Sequence, residues 1–210
     1  MDSIIFDLDG TLWDSRETIV TAWNDVLNQY QIDKEITKED LKQVLGLPFD
    51  EVSKRLLPDV DKEVAEKVLN DSCEVENAYL IKQGGQLYDD VASVLKALSK
   101  RYKLYIVSNC QIGYIEAFYQ YHDLGKYFCD YENPGRTGLS KGDNIKLIVE
   151  RNQLKNPVYV GDTDGDQKSS EYAGIPFIYA RYGFGEVNRY DYAIDKFKEL
   201  LDVITYIKDK

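Results

Sequence analysis

Hydrophobic positions along the chain keep two different periods, and the change between them divides it. Ser3-Ile4-Ile5-Phe6 is a short, mostly apolar run, the mark of a strand buried on both faces. From Arg16 to Tyr30 the apolar residues fall at Ile19, Val20, Trp23, Val26, Leu27 and Tyr30, close to helical spacing. Thr37, with Asp40 three positions on, predicts a capped helix start before Leu41, Val44 and Leu45. Val52, Leu56 and Leu57 suggest a short helix that Pro58 stops. Asp61 to Leu80 reads as a longer one, with small or apolar residues at Val64, Ala65, Val68, Leu69, Cys73, Val75 and Tyr79. Residues 14–82 thus read as a helical block without a strand, and Gln83-Gly84-Gly85 as the hinge out of it.

From Leu87 the pattern alternates. Val91, Val94, Leu95 and Leu98 mark a helix, and Leu104 to Val107 a strand ending in Ser108-Asn109. Tyr114, Phe118 and Tyr121 form a helical stripe, taken as core. Tyr127 to Tyr131 is a short strand, and a helix carrying Ile145, Leu147, Ile148 and Val149 starts near Ser140. Val158 to Val160 is a strand ending in Gly161-Asp162, followed by a helix that Gly174 stops, a strand over 175–180 and a last helix over 195–208. Such alternation predicts an α/β fold with a doubly wound parallel sheet. Residues 1–13 and 84–210 form its core, and 14–83 a helical insertion after the first strand.

Composition removes several function classes. No stretch approaches the ~20 apolar residues of a membrane span, and Asp2 and Asp7 leave no room for a signal peptide. A net charge of −11 speaks against nucleic acid or an anionic membrane as partner. Cys73, Cys110 and Cys129 are odd in number and widely spaced, which favours a reduced, cytoplasmic setting over a disulfide frame or a zinc site. No repeat or low-complexity tract is present. A chain of 210 residues, 43% of them hydrophobic, can build one large domain with an insertion.

Chemistry enters at the strand ends. Asp7 and Asp9, one residue apart, would share a face of an extended backbone, and Gly10 would turn the chain away behind them. Taken alone, Asp-x-Asp-Gly is also an ordinary acidic turn. Three apolar strands, however, end in polar residues: Asp7 and Asp9, Ser108 and Asn109, Asp162 and Asp166. Parallel neighbours bring such ends to one rim, where open α/β sheets bind ligands. Four converging carboxylates repel one another unless a cation joins them, and oxygen ligands point to Mg²⁺ before Ca²⁺ or Zn²⁺. Gly161 to Asp166 is not a calcium loop of the EF-hand type, because no glutamate stands at the twelfth position. Lys141 sits at a predicted helix start, where the dipole disfavours a cation. The position makes sense beside a bound anion, and removing its charge would then cost the free protein nothing. A solvated surface lysine is the plainer reading.

Asp7-Leu8-Asp9-Gly10-Thr11, Ser108-Asn109, Lys141 and Gly161-Asp162-Thr163-x-x-Asp166 together resemble, in order and spacing, the motifs of the haloacid dehalogenase superfamily. The helical block looks like the small cap of its phosphoglycolate phosphatase-like branch, and the likeness covers essentially the whole chain. The resemblance implies a Rossmann-like core and a Mg²⁺-dependent phosphatase. Asp7 would attack phosphorus and carry an aspartyl-phosphate, and Asp9 would act as general acid and base. Mg²⁺ would be held by Asp7, the main-chain carbonyl of Asp9, Asp162 and Asp166. Ser108, the Asn109 backbone and Lys141 would bind the phosphoryl group. The substrate would be a small phosphorylated metabolite, with hinges near Asp14-Ser15 and Gln83-Gly84-Gly85 letting the cap move.

Departures narrow the likeness. Dehalogenases lack an acid where Asp9 stands. The related mutases carry a Val-like residue at Thr11, a histidine at Ile19 and an arginine at Phe49, which speaks against a phosphosugar mutase. The Schiff-base lysine of the phosphonate hydrolases has only Lys34 and Lys38 as candidates, both placed on a helix surface. A pyrophosphatase, a catalytically dead binding protein and a receiver-like phospho-acceptor module are the rival readings, the last normally shorter and without an insertion. Arg136 and Arg181 fall in loops expected near the rim. His122 reads as structural and Cys110 as a small packed residue. Leu47, Pro48 and Phe49 are candidates to line the cap. Phosphoglycolate, a sugar phosphate, a nucleotide and pyrophosphate all stay open as substrates, and oligomeric state is not readable.

Overall fold

The computed structural model describes residues 1–47 and 49–208, the side chains of 49, 50 and 208 excepted. Strand β1 (Ser3–Phe6) runs through the middle of a six-stranded sheet in the order β5 (Phe128–Glu132), β4 (Lys103–Val107), β1, β6 (Pro157–Gly161), β7 (Phe177–Ala180) and β8 (Tyr192–Ile194), with all neighbours parallel. The four residues of β1 are fully buried, as their composition demands. Alternation sends Ile4 and Phe6 into one core with Ile106, Val158 and Val160, and Ile5 into another with Tyr105 and Tyr159.

Helices α5 (Val91–Leu98), α6 (Tyr114–His122) and α10 (Leu200–Lys208) build the first core. Helix α8 (Lys141–Arg151) brings Ile145 and Ile148 into the second and packs on α9 (Asp164–Ala173). The single turn α7 (Pro134–Thr137) precedes α8. From β1 the chain proceeds to β4 and β5 on one side and later to β6, β7 and β8 on the other. The winding therefore reverses at β1, the arrangement that opens a crevice beyond the strands' carboxyl ends. Phe6 lies level with Ile106 and Val160, so Asp7, Ser108 and Asp162 follow within two residues of a common level.

The insertion holds α1 (Arg16–Gln29), α2 (Lys38–Lys42), α3 (Phe49–Leu56) and α4 (Lys62–Gln83). Thr37 and Asp40 form the expected capping box at α2, and the Asp61 side chain caps α4 by accepting from the Glu63 and Val64 amides. α1 lies along α4, where Ile19, Trp23 and Val26 are buried in one cluster with Ala65, Val68 and Leu80. That cluster is continuous with the sheet's first core, so the inserted helices do not close a separate hydrophobic centre.

Three short strands differ from the sequence expectation. Next to the expected hinges the chain pairs as an antiparallel ribbon, β2 (Trp13–Asp14) with β3 (Gln86–Leu87), which takes in Asp14 but not Gln83-Gly84-Gly85. Two residues per strand are too few to show a period of two. β8 was also not expected, because Tyr192-Ala193-Ile194 is equally short. Among the described residues no helix is long and apolar enough to cross a membrane.

Candidate active site

β1 ends at Phe6, and Asp7 lies just beyond it, its amide donating to the Val160 carbonyl at 2.8 Å. Lys141, the first residue of α8, reaches inward: its Nζ stands 3.1 Å from Asp7 Oδ1 and 2.6 Å from Asp166 Oδ1. It is only 5% exposed, so it is no solvated surface lysine. The dipole argument therefore fails for the free protein, because the charge at this helix start is held by two buried carboxylates. Asp166 is fixed in turn by the α9 capping box, where its Oδ2 accepts from the Thr163 amide at 3.0 Å and the Thr163 hydroxyl at 2.6 Å. Burial works to raise the Asp166 pKa, but the Lys141 charge and the Thr163 bonds outweigh it and hold the carboxyl below its ordinary value.

Asp162 completes this side. Its Oδ2 accepts from the Phe184 amide at 2.7 Å and its Oδ1 from the Thr11 hydroxyl at 3.3 Å. Gly10 and Gly183 press against it: Gly10 has φ +75°, and a Cβ at Gly10 or Gly183 would stand 2.1 or 2.3 Å from an Asp162 side-chain atom. Only glycine fits either place. Asp7 and Asp162 are both pushed up by burial and by the charge of Asp166.

Asp9 faces a different environment. Both acids follow the end of β1, but their carboxylates meet different partners, Asp7 pairing with Lys141 and Asp9 with neutral hydroxyls. Asp9 Oδ1 accepts from the Ser15 hydroxyl at 2.5 Å and the Tyr114 hydroxyl at 2.9 Å, and the two hydroxyl oxygens lie 2.9 Å apart. Burial raises its pKa to about 6 although these neutral donors pull it down. Such a carboxyl can hold or release a proton near neutrality. In the sequence Ser15 is read only as part of a hinge, and Tyr114 as core. Tyr114 and Phe118 of the α6 stripe are buried while Tyr121 is exposed, and only the fold shows that the Tyr114 hydroxyl reaches Asp9.

Asp7, Asp162 and Asp166 each offer a carboxylate oxygen, and the three atoms lie within 4.8 Å of one another. All three residues are buried, and apart from the Lys141 ion pair Asp7 Oδ1 has no hydrogen-bond partner. Three carboxylates against one ammonium leave an excess of negative charge away from water, which a hard divalent cation would neutralise. The residues thus fit Mg²⁺, with the Asp9 carboxylate turned to Ser15 and Tyr114 instead of joining the cluster.

Of the other candidates, Ser108 is buried beside Asp7, whose carboxyl its hydroxyl helps to hold down. Asn109 donates from Nδ2 to the Gly46 carbonyl at 2.7 Å, tying the β4 end to the insertion. The Arg136 guanidinium is engaged with the Tyr131 carbonyl and ring and with Glu132, and Arg181 with Asp195 and Tyr190. His122 packs against Trp13 and Phe118. Cys110 is buried, its thiol pKa driven far up by desolvation. Pro48 and the Phe49 side chain lie outside the described residues.

Residues 4–180 match the family model of the haloacid dehalogenase-like hydrolases. The chain belongs to this family. It is 26% identical over 194 residues to a phosphoglycolate phosphatase of Aquifex aeolicus, covering 90% of this chain and 88% of that one. With a phosphoglycolate phosphatase of Synechococcus elongatus the identity is 27% over 217 residues, covering 99% of each. A haloacid dehalogenase-like family protein of Streptococcus pneumoniae shares the fold with a TM-score of 0.85, at 22% identity and over 97% of this chain and 98% of that one. As a haloacid dehalogenase-like hydrolase the chain carries its acids, Ser108 and Lys141 on the rim where the sheet of the fold ends.

Proposed function

We propose that this hydrolase is a Mg²⁺-dependent phosphatase that hydrolyses a small phosphomonoester through an aspartyl-phosphate on Asp7. The observation that carries the reading is the buried set of Asp7, Asp162 and Asp166, two of which, Asp7 and Asp166, pair with Lys141. The two phosphoglycolate phosphatase relatives support the reaction class.

Asp7 attacks phosphorus, so that an Asp7 oxygen–phosphorus bond forms as the ester phosphorus–oxygen bond breaks. Lys141 and Ser108 hold the phosphoryl oxygens, a fixed arrangement that favours the charge spread of the transition state. Asp9 gives its proton to the departing alkoxide. It then takes a proton from the water that attacks phosphorus, releasing phosphate and restoring the Asp7 carboxylate. Mg²⁺, when bound by Asp7, Asp162, Asp166 and the Asp9 carbonyl, supplies positive charge beside the nucleophile and the phosphoryl group. The Asn109 backbone completes the phosphate contacts. Residues 14–83 act as the cap that keeps water out and selects the substrate. Three free thiols, Cys73, Cys110 and Cys129, support a cytoplasmic setting.

The test is turnover of a generic aryl phosphate with Mg²⁺ and after chelation. Release of phosphate that depends on Mg²⁺ is expected. No release from any phosphomonoester, or release indifferent to chelation, would contradict the proposal.

A further inference from the structure

Between the inserted helices and the rim lies a cavity of about 60 Å³ that Asp9 helps to line. Its walls are largely aliphatic, with Ile19, Leu41, Val44, Leu47, Leu56 and Leu69 among them. Its polar lining includes Glu76 of α4, 7% exposed, whose Oε1 accepts from the Trp23 indole and whose Oε2 accepts from Gln111 Nε2 at 2.9 Å. Among the described lining residues the charged ones are Asp9 and Glu76, both acidic, and no cation faces the space.

We propose, resting on the phosphatase reading, that this cavity receives the alcohol half of a phosphomonoester that is compact and apolar in its body, carries no carboxylate, and presents a hydrogen-bond donor to Glu76. The volume is several times what one water needs, and thus suits a leaving group of a few non-hydrogen atoms. The aliphatic wall favours an apolar body. A carboxylate offers about four acceptor sites, and Trp23 and Gln111 occupy two on Glu76, so sites stay open for a ligand donor. An anionic alcohol half would enter beside two acids with no cation to meet it, and a buried unpaired charge is strongly disfavoured. Phosphoglycolate brings such a carboxylate, so this hydrolase should discriminate against the compound named for two of its relatives.

The discriminating pair is phosphoglycolate and its amide, which keep one shape while the amide loses the charge and gains donors. Both are assayed on the full chain with Mg²⁺ at about pH 8, where Glu76 is ionised, alongside an aryl phosphate. The amide should have a kcat/KM at least about tenfold higher, and in Glu76→Gln that ratio should fall toward one. A wild-type ratio below ten, or a folded Glu76→Gln variant with an unchanged ratio, overturns the assignment. The wild-type ratio decides even where the variant fails to fold. Absence of turnover on all three esters would instead contradict the phosphatase reading itself.

Discussion

Two groups of buried acids stand on either side of the Asp7-Leu8-Asp9 turn, and they are held in opposite ways. On the sheet side Asp7, Asp162 and Asp166 lie together, and the ammonium of Lys141 pairs with Asp7 and Asp166. On the side of the inserted helices Asp9 and Glu76 are met by neutral donors: Ser15, Tyr114, Trp23 and Gln111. The first arrangement concentrates negative charge and suits a cation. The second raises both carboxyls, Asp9 to about 6 and Glu76 to about 7, chiefly by burial that neutral hydrogen bonds do not offset. The Asp7-Leu8-Asp9 stretch thereby joins an acid paired with a cation to an acid met by neutral donors.

The largest effect expected on the charged side is from Asp7→Asn. The amide keeps the shape but cannot attack phosphorus, and kcat should fall by more than about a thousandfold, ~4 kcal/mol in barrier. Steady-state turnover with a matched thermal melt checks it; retention of a tenth of the activity would remove Asp7 as nucleophile.

Lys141→Met breaks the same side differently. Without its ammonium, buried Asp7 and Asp166 face each other unpaired, so the metal-free protein should lose about 3 kcal/mol of stability. Added Mg²⁺ should restore part of that loss. Urea unfolding with chelator and with Mg²⁺ measures both, and kcat/KM should drop by roughly 2–4 kcal/mol in barrier terms. A variant as stable as wild type in chelator would show that the ion pairs contribute nothing.

These two substitutions also mark what could be read from the chain. Asp7, Ser108 and Asp162 were legible because each ends an apolar strand, a local pattern that survives without knowledge of the fold. Lys141 was legible as a candidate but not in its energetics, since its burial and its two carboxylate partners exist only after α8 and α9 pack. Ser15, Tyr114 and Glu76 carry no local signature at all. A tyrosine in an apolar stripe and a glutamate in a long helix become site residues only through partners on other elements, from six to over a hundred positions away. The β2–β3 ribbon was hidden for a simpler reason, its shortness.

On the neutral side, Glu76→Gln should change the pH dependence of stability. A carboxyl raised in the folded state binds protons that the unfolded chain has released, so its contribution is present below the unfolded value of about 4.5 and is lost as pH rises through about 7. The variant lacks that loss but sacrifices one hydrogen bond, because two amide NH₂ groups cannot pair. It should therefore be about 1 kcal/mol less stable than wild type near pH 5 and equal or more stable near pH 8. Denaturant titrations at both pH values follow the crossing; parallel curves would mean that Glu76 does not titrate in the folded protein.

A smaller effect is expected from Tyr114→Phe, which removes one of the neutral donors to Asp9 and leaves the ring in its packing against Trp13. kcat should fall by about 0.5–1.5 kcal/mol in barrier terms, with Mg²⁺ affinity unchanged. Isothermal titration with Mg²⁺ beside turnover separates the two; a change in metal affinity as large as the change in kcat would join the two sides that the structure keeps apart.

The division of labour between Asp7 and Asp9 is tested most directly by trapping the covalent intermediate. Asp9→Asn lacks the base for the hydrolytic step, whereas an aryl phosphate, with its good leaving group, needs little protonation to transfer its phosphoryl group. After a short pulse with aryl phosphate and Mg²⁺, intact-mass spectrometry should show one added phosphoryl group, and peptide mapping should place it on Asp7. An unmodified variant that has lost activity equally on good and poor leaving groups, or a phosphoryl group on another residue, would contradict the account.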